Sequence, residues 1–155
     1  MINLVNRRSV VLSTAVLPLL VHPTFAVERE IWAADEAQKA LDAGEIVMID
    51  VRTRGEWQET GVAQGAWAIS MHEPRFKDRL FAARDFAKGA PVALICAVGG
   101  RTGRIMHVLK NAGYTGFIDV SEGMMGSKRG PGWIARGLPV VDMATALADL
   151  PDSLA

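Results

Sequence analysis

The chain alternates short, wholly apolar runs with stretches in which apolar residues recur every three or four positions. Ile46-Val47-Met48-Ile49 ends in Asp50, and Val92-Ala93-Leu94-Ile95 follows Pro91 and runs straight into Cys96. Phe117-Ile118-Asp119-Val120 follows Gly116, and Ala66 to Ser70 is a further strand candidate. Runs of this length, apolar on successive positions, read as strands buried on both faces. Between them, residues 33–43 read as a helix ended by Gly44, and Gly55 to Thr60 as a helical turn stopped by Gly61. Residues 73–87 are mixed and read as helical in pieces. Ile105, Met106, Val108 and Leu109 recur at helical spacing up to Asn111 and Gly113. A glycine-rich loop from Gly123 to Gly137 contains Trp133, and Asp142 to Leu150 reads as a last short helix. Strands alternating with helices predict an α/β domain, a parallel sheet with helices on both faces. Ligands of such sheets sit beyond the carboxyl ends of the strands, where Asp50 and Cys96 both stand.

The first 26 residues break this pattern. Arg7 and Arg8 precede an apolar run from Val10 to Val21, interrupted by Ser13, Thr14 and Pro18, and Thr24-Phe25-Ala26 follows. A positive flank, an apolar middle and a small residue before Val27 are the order of a cleaved secretory signal. The run is too short for a comfortable permanent membrane anchor. Arg7-Arg8 fits either the general secretory or the twin-arginine route, and the expected destination is a bacterial periplasm. The expected division is therefore a signal peptide over 1–26 and one domain over 27–155.

Composition narrows the function classes. The chain has 155 residues, half of them hydrophobic, with 17 basic and 17 acidic side chains. Removal of 1–26 takes away two basic residues and no acidic one, leaving 15 against 17 and a formal charge of about −2. That balance does not suit a nucleic-acid partner. There is one cysteine, so no internal disulfide can form. In an oxidising compartment a lone thiol is a liability unless it is buried or used.

The residues after Cys96 point to use. Ala97-Val98-Gly99-Gly100-Arg101-Thr102 leads from the strand into a helix. A helix start presents unpaired N–H groups and a positive dipole end, and glycines let a loop turn its own N–H groups inward. That environment favours a thiolate and is expected to draw the thiol below its free pKa. Arg101 adds a positive charge for an anionic substrate. The alternative is a small apolar residue closing a buried strand.

The loop from Cys96 to Thr102 resembles the active-site loop of the rhodanese homology domain. Ile49-Asp50-Val51-Arg52 with Glu56-Trp57, Gly61 and Gly65-Ala66 is similar to the family's first signature. Gly113-Tyr114, Gly116-Phe117, Val120, Gly123, Trp133, Gly137 and Pro139 are similar to its second. The resemblance covers about residues 31–141. It implies a rhodanese-like fold, about five parallel strands flanked by helices, and a sulfurtransferase without metal or organic cofactor. By that resemblance Cys96 is the nucleophile that carries a persulfide, and Ala97, Val98, Gly99, Gly100, Arg101 and Thr102 bind substrate. The implied partners are a small sulfur-containing anion or persulfide as donor, and cyanide, a thiol or a periplasmic protein as acceptor. Apolar Ala97 and Val98 replace basic side chains found in some members, which points away from thiosulfate as the physiological donor. From Cys96 through Arg101 is six residues, the sulfurtransferase length, whereas related phosphatases and arsenate reductases have a loop one residue longer. A carrier or binding module without turnover is the remaining alternative.

Asp50 is expected to support the loop with Arg52, accepting hydrogen bonds from the loop N–H groups or from Arg52; the alternative is a surface ion pair between the two. His107 lies six residues beyond Arg101 and should point away from the loop mouth, while His72 follows a strand and could come nearer. The four tryptophans read as packing residues. Met124-Met125 is a candidate for the mouth of the site, and Lys128-Arg129 for positive charge beside it.

Overall fold

The computed structural model describes residues 30–155. The expected signal peptide at 1–26 lies outside the described residues. In chain order the elements are β1 (Ile31–Trp32), α1 (Ala34–Asp42), β2 (Val47–Asp50), α2 (Arg54–Thr60), β3 (Val62–Ala63), β4 (Trp67–Ala68) and α3 (Phe76–Phe86). They continue with β5 (Val92–Ile95), α4 (Gly100–Asn111), β6 (Phe117–Val120), α5 (Gly132–Ala135), β7 (Val140–Val141) and α6 (Met143–Ala148).

Five strands form one sheet in the order β1-β6-β5-β2-β4, and every neighbouring pair is parallel. The central strands are apolar at successive positions because each faces two cores. Met48, Ala93, Ile95, Ile118 and Val120 pack on one side with Trp57 and Trp133. Ile49, Leu94, Cys96 and Phe117 pack on the other with Leu80 of α3 and Leu109 of α4. Alternation along β5 therefore puts Cys96 on the α3–α4 side. In register, Asp50 of β2 lies opposite Ile95 of β5, so the residues that end these strands emerge at the same edge of the sheet.

Three expectations change. Residues 73–87 contain one continuous helix, Phe76–Phe86, rather than pieces. Its apolar stripe is diluted because Arg79 takes an inward position, bonding Glu73 at 2.7 Å and the Leu154 carbonyl at 2.5 Å. The strand expected over 66–70 is regular only at Trp67–Ala68, although Ile69 N and Met71 N still donate to Asp50 O and Val51 O, both at 3.1 Å. The glycine-rich loop contains the short helix α5, and the two-residue strands β3 and β7 pair antiparallel. Such short pieces carry too few residues to show a period.

Candidate active site

Cys96 follows the last residue of β5 and is fully buried. Burial alone would also suit an apolar residue closing a strand; the polar surroundings are what distinguish this position. The Cys96 and Ala97 carbonyls accept from Met124 N and Met125 N, each at 2.8 Å, so the loop after β6 holds the loop after β5 from below. The approach is close enough to require glycine at two places. Gly99 has φ +79°, and a Cβ there would stand 2.2 Å from Ser121 O. Gly123 has φ +71°, and its Cβ would meet Ala97 O at 2.4 Å. Both positions exclude a side chain by conformation and by space.

The left-handed turn at Gly99 opens α4 without a side-chain cap. The first hydrogen bond at this end runs from Gly103 N to Gly99 O, 3.1 Å. Among the described residues no acceptor is found for the backbone N–H groups of Ala97 through Thr102. Ala97 is half-buried, Val98 exposed and Gly100 begins the helix. The result is a run of unpaired donors directly after Cys96, at the positive end of the α4 dipole.

Two side chains of the first turn of α4 bear on the site. Thr102 is fully buried, with Oγ1 3.6 Å from Cys96 Sγ and 3.1 Å from Gly99 O. Arg101 pairs with Glu56 through both guanidinium nitrogens; Nη1 donates to Oε2 at 2.8 Å, and Nη2 donates to Oε1. Glu56 raises the Arg101 pKa above its ordinary value, against the effect of burial and with a smaller contribution from Cys96. The Arg101 guanidinium holds the Glu56 carboxyl at about 2, with help from Thr53 N and Thr53 Oγ1 and against the effect of burial. Arg101 is thus anchored and largely neutralised, where the sequence suggested a free cation.

Asp50 and Arg52 meet each other, and their hydrogen-bond partners lie at the ends of β2 and α2. Arg52 Nε donates to both Asp50 oxygens at 3.0 Å, and Nη2 donates to Oδ2 at 2.8 Å. The same guanidinium reaches Thr60 Oγ1 at 2.7 Å and Gly61 O at 2.5 Å. Both residues are buried, so the pair fastens the end of β2 to the end of α2. Of the two expected roles for Asp50, pairing with Arg52 is the one present, in the interior rather than on the surface.

His72 and His107 are both exposed; His107 bonds Asn111 at 3.0 Å. Met124 is buried in the core and Met125 is exposed beside Ala97. Lys128 and Arg129 are exposed. Two residues near the sulfur were not singled out by the sequence as site residues. Glu56 was legible as the last member of a Thr53-x-x-Glu56 capping box. Asp119 was legible only as an acid inside an apolar strand.

A cysteine at the carboxyl end of a central parallel strand, held in a glycine loop that opens a helix, defines an α/β domain with a thiol at its strand-end edge. Comparison with known proteins agrees with this class. Residues 33–129 match the model of the rhodanese-like domain, and the chain belongs to that family, whose domain is of the sulfur-transfer type. The solution structure of the rhodanese-like domain from the Anabaena sp. protein Alr3790 matches with a TM-score of 0.58 at 19% identity, over 80% of this chain and 85% of that one. The crystal structure of Rv0390 from M. tuberculosis matches with a TM-score of 0.52 at 27% identity, over 70% and 94%. An uncharacterized protein of Rickettsia conorii is 26% identical over 101 residues, 59% of this chain and 80% of that protein.

Proposed function

We propose that this chain is a rhodanese-type sulfurtransferase working through a persulfide on Cys96. The observation that carries the reading is the six-residue loop from Cys96 through Arg101. It sets the chain's one cysteine against Thr102, carries Arg101 on the helix that follows, and leaves a run of backbone N–H donors without acceptors after the sulfur. In the first step the Cys96 thiolate attacks the sulfane sulfur of a donor such as thiosulfate. The donor S–S bond breaks, sulfite leaves with the bonding pair, and Cys96 keeps the outer sulfur. In the second step cyanide or a thiol attacks that sulfur and the Cys96 thiolate leaves. The open N–H groups and Arg101 steady negative charge on the leaving oxyanion and on the persulfide. Neither step calls on a metal or an organic cofactor.

Because Glu56 neutralises Arg101, the loop attracts a dianion less than a free arginine would. With apolar Ala97 and Val98, this favours a persulfide over thiosulfate as the cellular donor. Val98 and Met125 are 56% and 54% exposed on either side of the loop contact. Two exposed apolar side chains there favour a protein acceptor, which supports sulfur carriage as the second reading. Export of the chain would make that acceptor periplasmic.

Intact-mass spectrometry tests the proposal. The protein treated with thiosulfate or glutathione persulfide should gain one sulfur atom and lose it on adding cyanide. Cys96→Ala should gain none; turnover of thiosulfate and cyanide by that variant at the parent rate would overturn the assignment. A persulfide that forms but is not discharged by small acceptors marks a carrier. The same spectrum reads export, since protein taken from cells should begin at Val27, and one that begins at Met1 rules out cleavage.

A further inference from the structure

Sulfur transfer at Cys96 leaves one apolar region of the surface unused. α3 and α4 pack on the same face of the sheet as Cys96, and the groove between them holds a cavity of about 570 Å³. Phe76, Leu80 and Phe81 of α3 form one wall, and Ile105, Val108 and Leu109 of α4 form the other. Leu80 and Leu109 are buried and make the floor. Val108 is 65% exposed, and Tyr114, beyond the end of α4, is 41% exposed, so the upper part of the groove is apolar surface open to water. The cavity lies within the range of small-ligand pockets, about 300–1,000 Å³.

Charge is confined to one end of this groove. Its charged side chains are Lys77 and Arg104, and no acid lines it. Both are exposed, and neither has an ion-pair or hydrogen-bond partner among the described residues. The order of elements puts them at the same end. α4 starts directly after β5, and α3 starts after β4 and ends before β5, so both helices run back against parallel strands. Their first turns therefore stand at the carboxyl edge of the sheet, where Cys96 ends β5. Lys77 lies in the first turn of α3, and Arg104 begins the second turn of α4. The positive ends of the two helix dipoles add to the same end. From Arg104 to Ala112 the α4 wall runs about 12 Å toward the opposite edge. No further charge lines that stretch. At its far end Arg84 is taken up by the Tyr114 and Phe117 rings, 5.7 and 5.8 Å from their centres. Asp78 and Asp85 of α3 are exposed and outside the lining, and α4 carries no acidic residue.

We propose that the groove between α3 and α4 is a binding site for a free medium-chain alkyl carboxylate, its carboxylate between Lys77 and Arg104 and its chain along Leu80, Ile105 and Val108 toward Tyr114. Two unpaired cations at one end and apolar surface along the rest complement a molecule with one anionic end and an apolar body. Burial of the alkyl chain supplies the attraction, and the two cations set its direction. The concave floor at Leu80 and Leu109 suits a single chain rather than a flat bilayer surface. Cys96 is not among the lining residues, so the site is separate from the thiol.

The probe is decanoate, used as a monomer and titrated into the full chain. Binding is read by NMR of the Tyr114 ring; with one tyrosine in the chain the signal is unambiguous. Saturable shifts with a dissociation constant on the order of 0.1 mM are expected. Decylammonium should bind about tenfold more weakly, the effect of two partly exposed ion pairs. The double variant Lys77→Glu with Arg104→Glu should reverse that order. Both residues are exposed and unpaired, so folding does not depend on them. Val108→Asn should weaken both probes. Absence of saturable Tyr114 shifts overturns the proposal, and so does a preference for decanoate that survives the charge reversal. A parent that binds phosphatidylglycerol vesicles but not monomeric decanoate overturns it in favour of a membrane surface. A parent dimer split by Val108→Asn, seen by light scattering, overturns it in favour of a second copy. Cys96→Ala should bind decanoate as the parent does; loss of binding there moves the ligand to the thiol and overturns the groove. Persulfide formation is read on the sulfur alone, so this site and the sulfurtransferase reading fail separately.

Discussion

The ends of β2 and β5 are written in the same grammar and do opposite things. Each is an apolar run closed by a residue with a reactive or ionisable side chain, followed by an arginine and a helix, and the two lie side by side in the sheet. At β2 the grammar closes on itself. Arg52 neutralises Asp50, and Thr53 caps α2 by accepting from Glu56 N at 3.3 Å while Glu56 reaches back to Thr53 N at 2.9 Å. At β5 the same grammar stays open. Gly99 has no side chain to cap α4, so the N–H groups that Thr53 and Glu56 consume in α2 remain available around Cys96. A helix start is common to both; the difference between a joint and a site is whether the chain supplies its own cap. The two ends are also linked, because the Glu56 that closes the α2 cap is the carboxylate that anchors Arg101.

Three substitutions sharpen that contrast. Arg52→Ala should have the largest effect, because it leaves Asp50 fully buried and unpaired. Breaking a buried pair in this way costs about 3–5 kcal/mol, which urea unfolding will read, while alkylation of Cys96 in the protein that remains folded should be unaffected. Equal loss of stability and of thiol reactivity would merge the two regions into one. Gly99→Ala comes next. A Cβ driven against Ser121 O in a left-handed conformation should cost about 2–4 kcal/mol and remove most persulfide formation, since the N–H groups can no longer converge.

Glu56→Gln should have the smallest effect on stability, about 1 kcal/mol, because the pair with Arg101 is partly exposed. The sign of its pH dependence is fixed by the pairing. The carboxyl is depressed from 4.5 to about 2, so its stabilisation is complete above about pH 4.5 and disappears as pH falls through about 2. The gap in unfolding midpoint between parent and Glu56→Gln should follow that course. A gap that widens in acid would show that Glu56 is not held by Arg101.

Much of the fold was legible, for a definite reason. The strands over 46–50, 92–95 and 117–120 declare themselves because a strand facing two cores is apolar on both faces, a run broken here only by Asp50 and Asp119. The helix at Phe76–Phe86 did not, because a buried arginine occupies a position where the pattern needs an apolar residue. The edge strand Ile31–Trp32 and the β3–β7 pair are two residues each, shorter than any period. In the site, Cys96 with its glycine loop could be read directly, since a single thiol between an apolar strand and a helix start is visible in one dimension. The partners of the loop could not. Asp50 and Arg52 stood near a strand end, and their pairing was among the expected roles; that the same guanidinium reaches Thr60 and Gly61 at the end of α2 was not visible.

The sequence by itself determined the parallel α/β architecture, the position of Cys96 at a strand end and the six-residue span to Arg101. These depend on local alternation, glycine placement and helix boundaries, all of which are properties of neighbouring residues. Only the tertiary structure decided which charges meet at the loop. Glu56 lies 45 residues from Arg101 along the chain, so their contact exists only once the sheet has set its order. Pairing of charges depends on which strand lies beside which, and no run of adjacent residues encodes that.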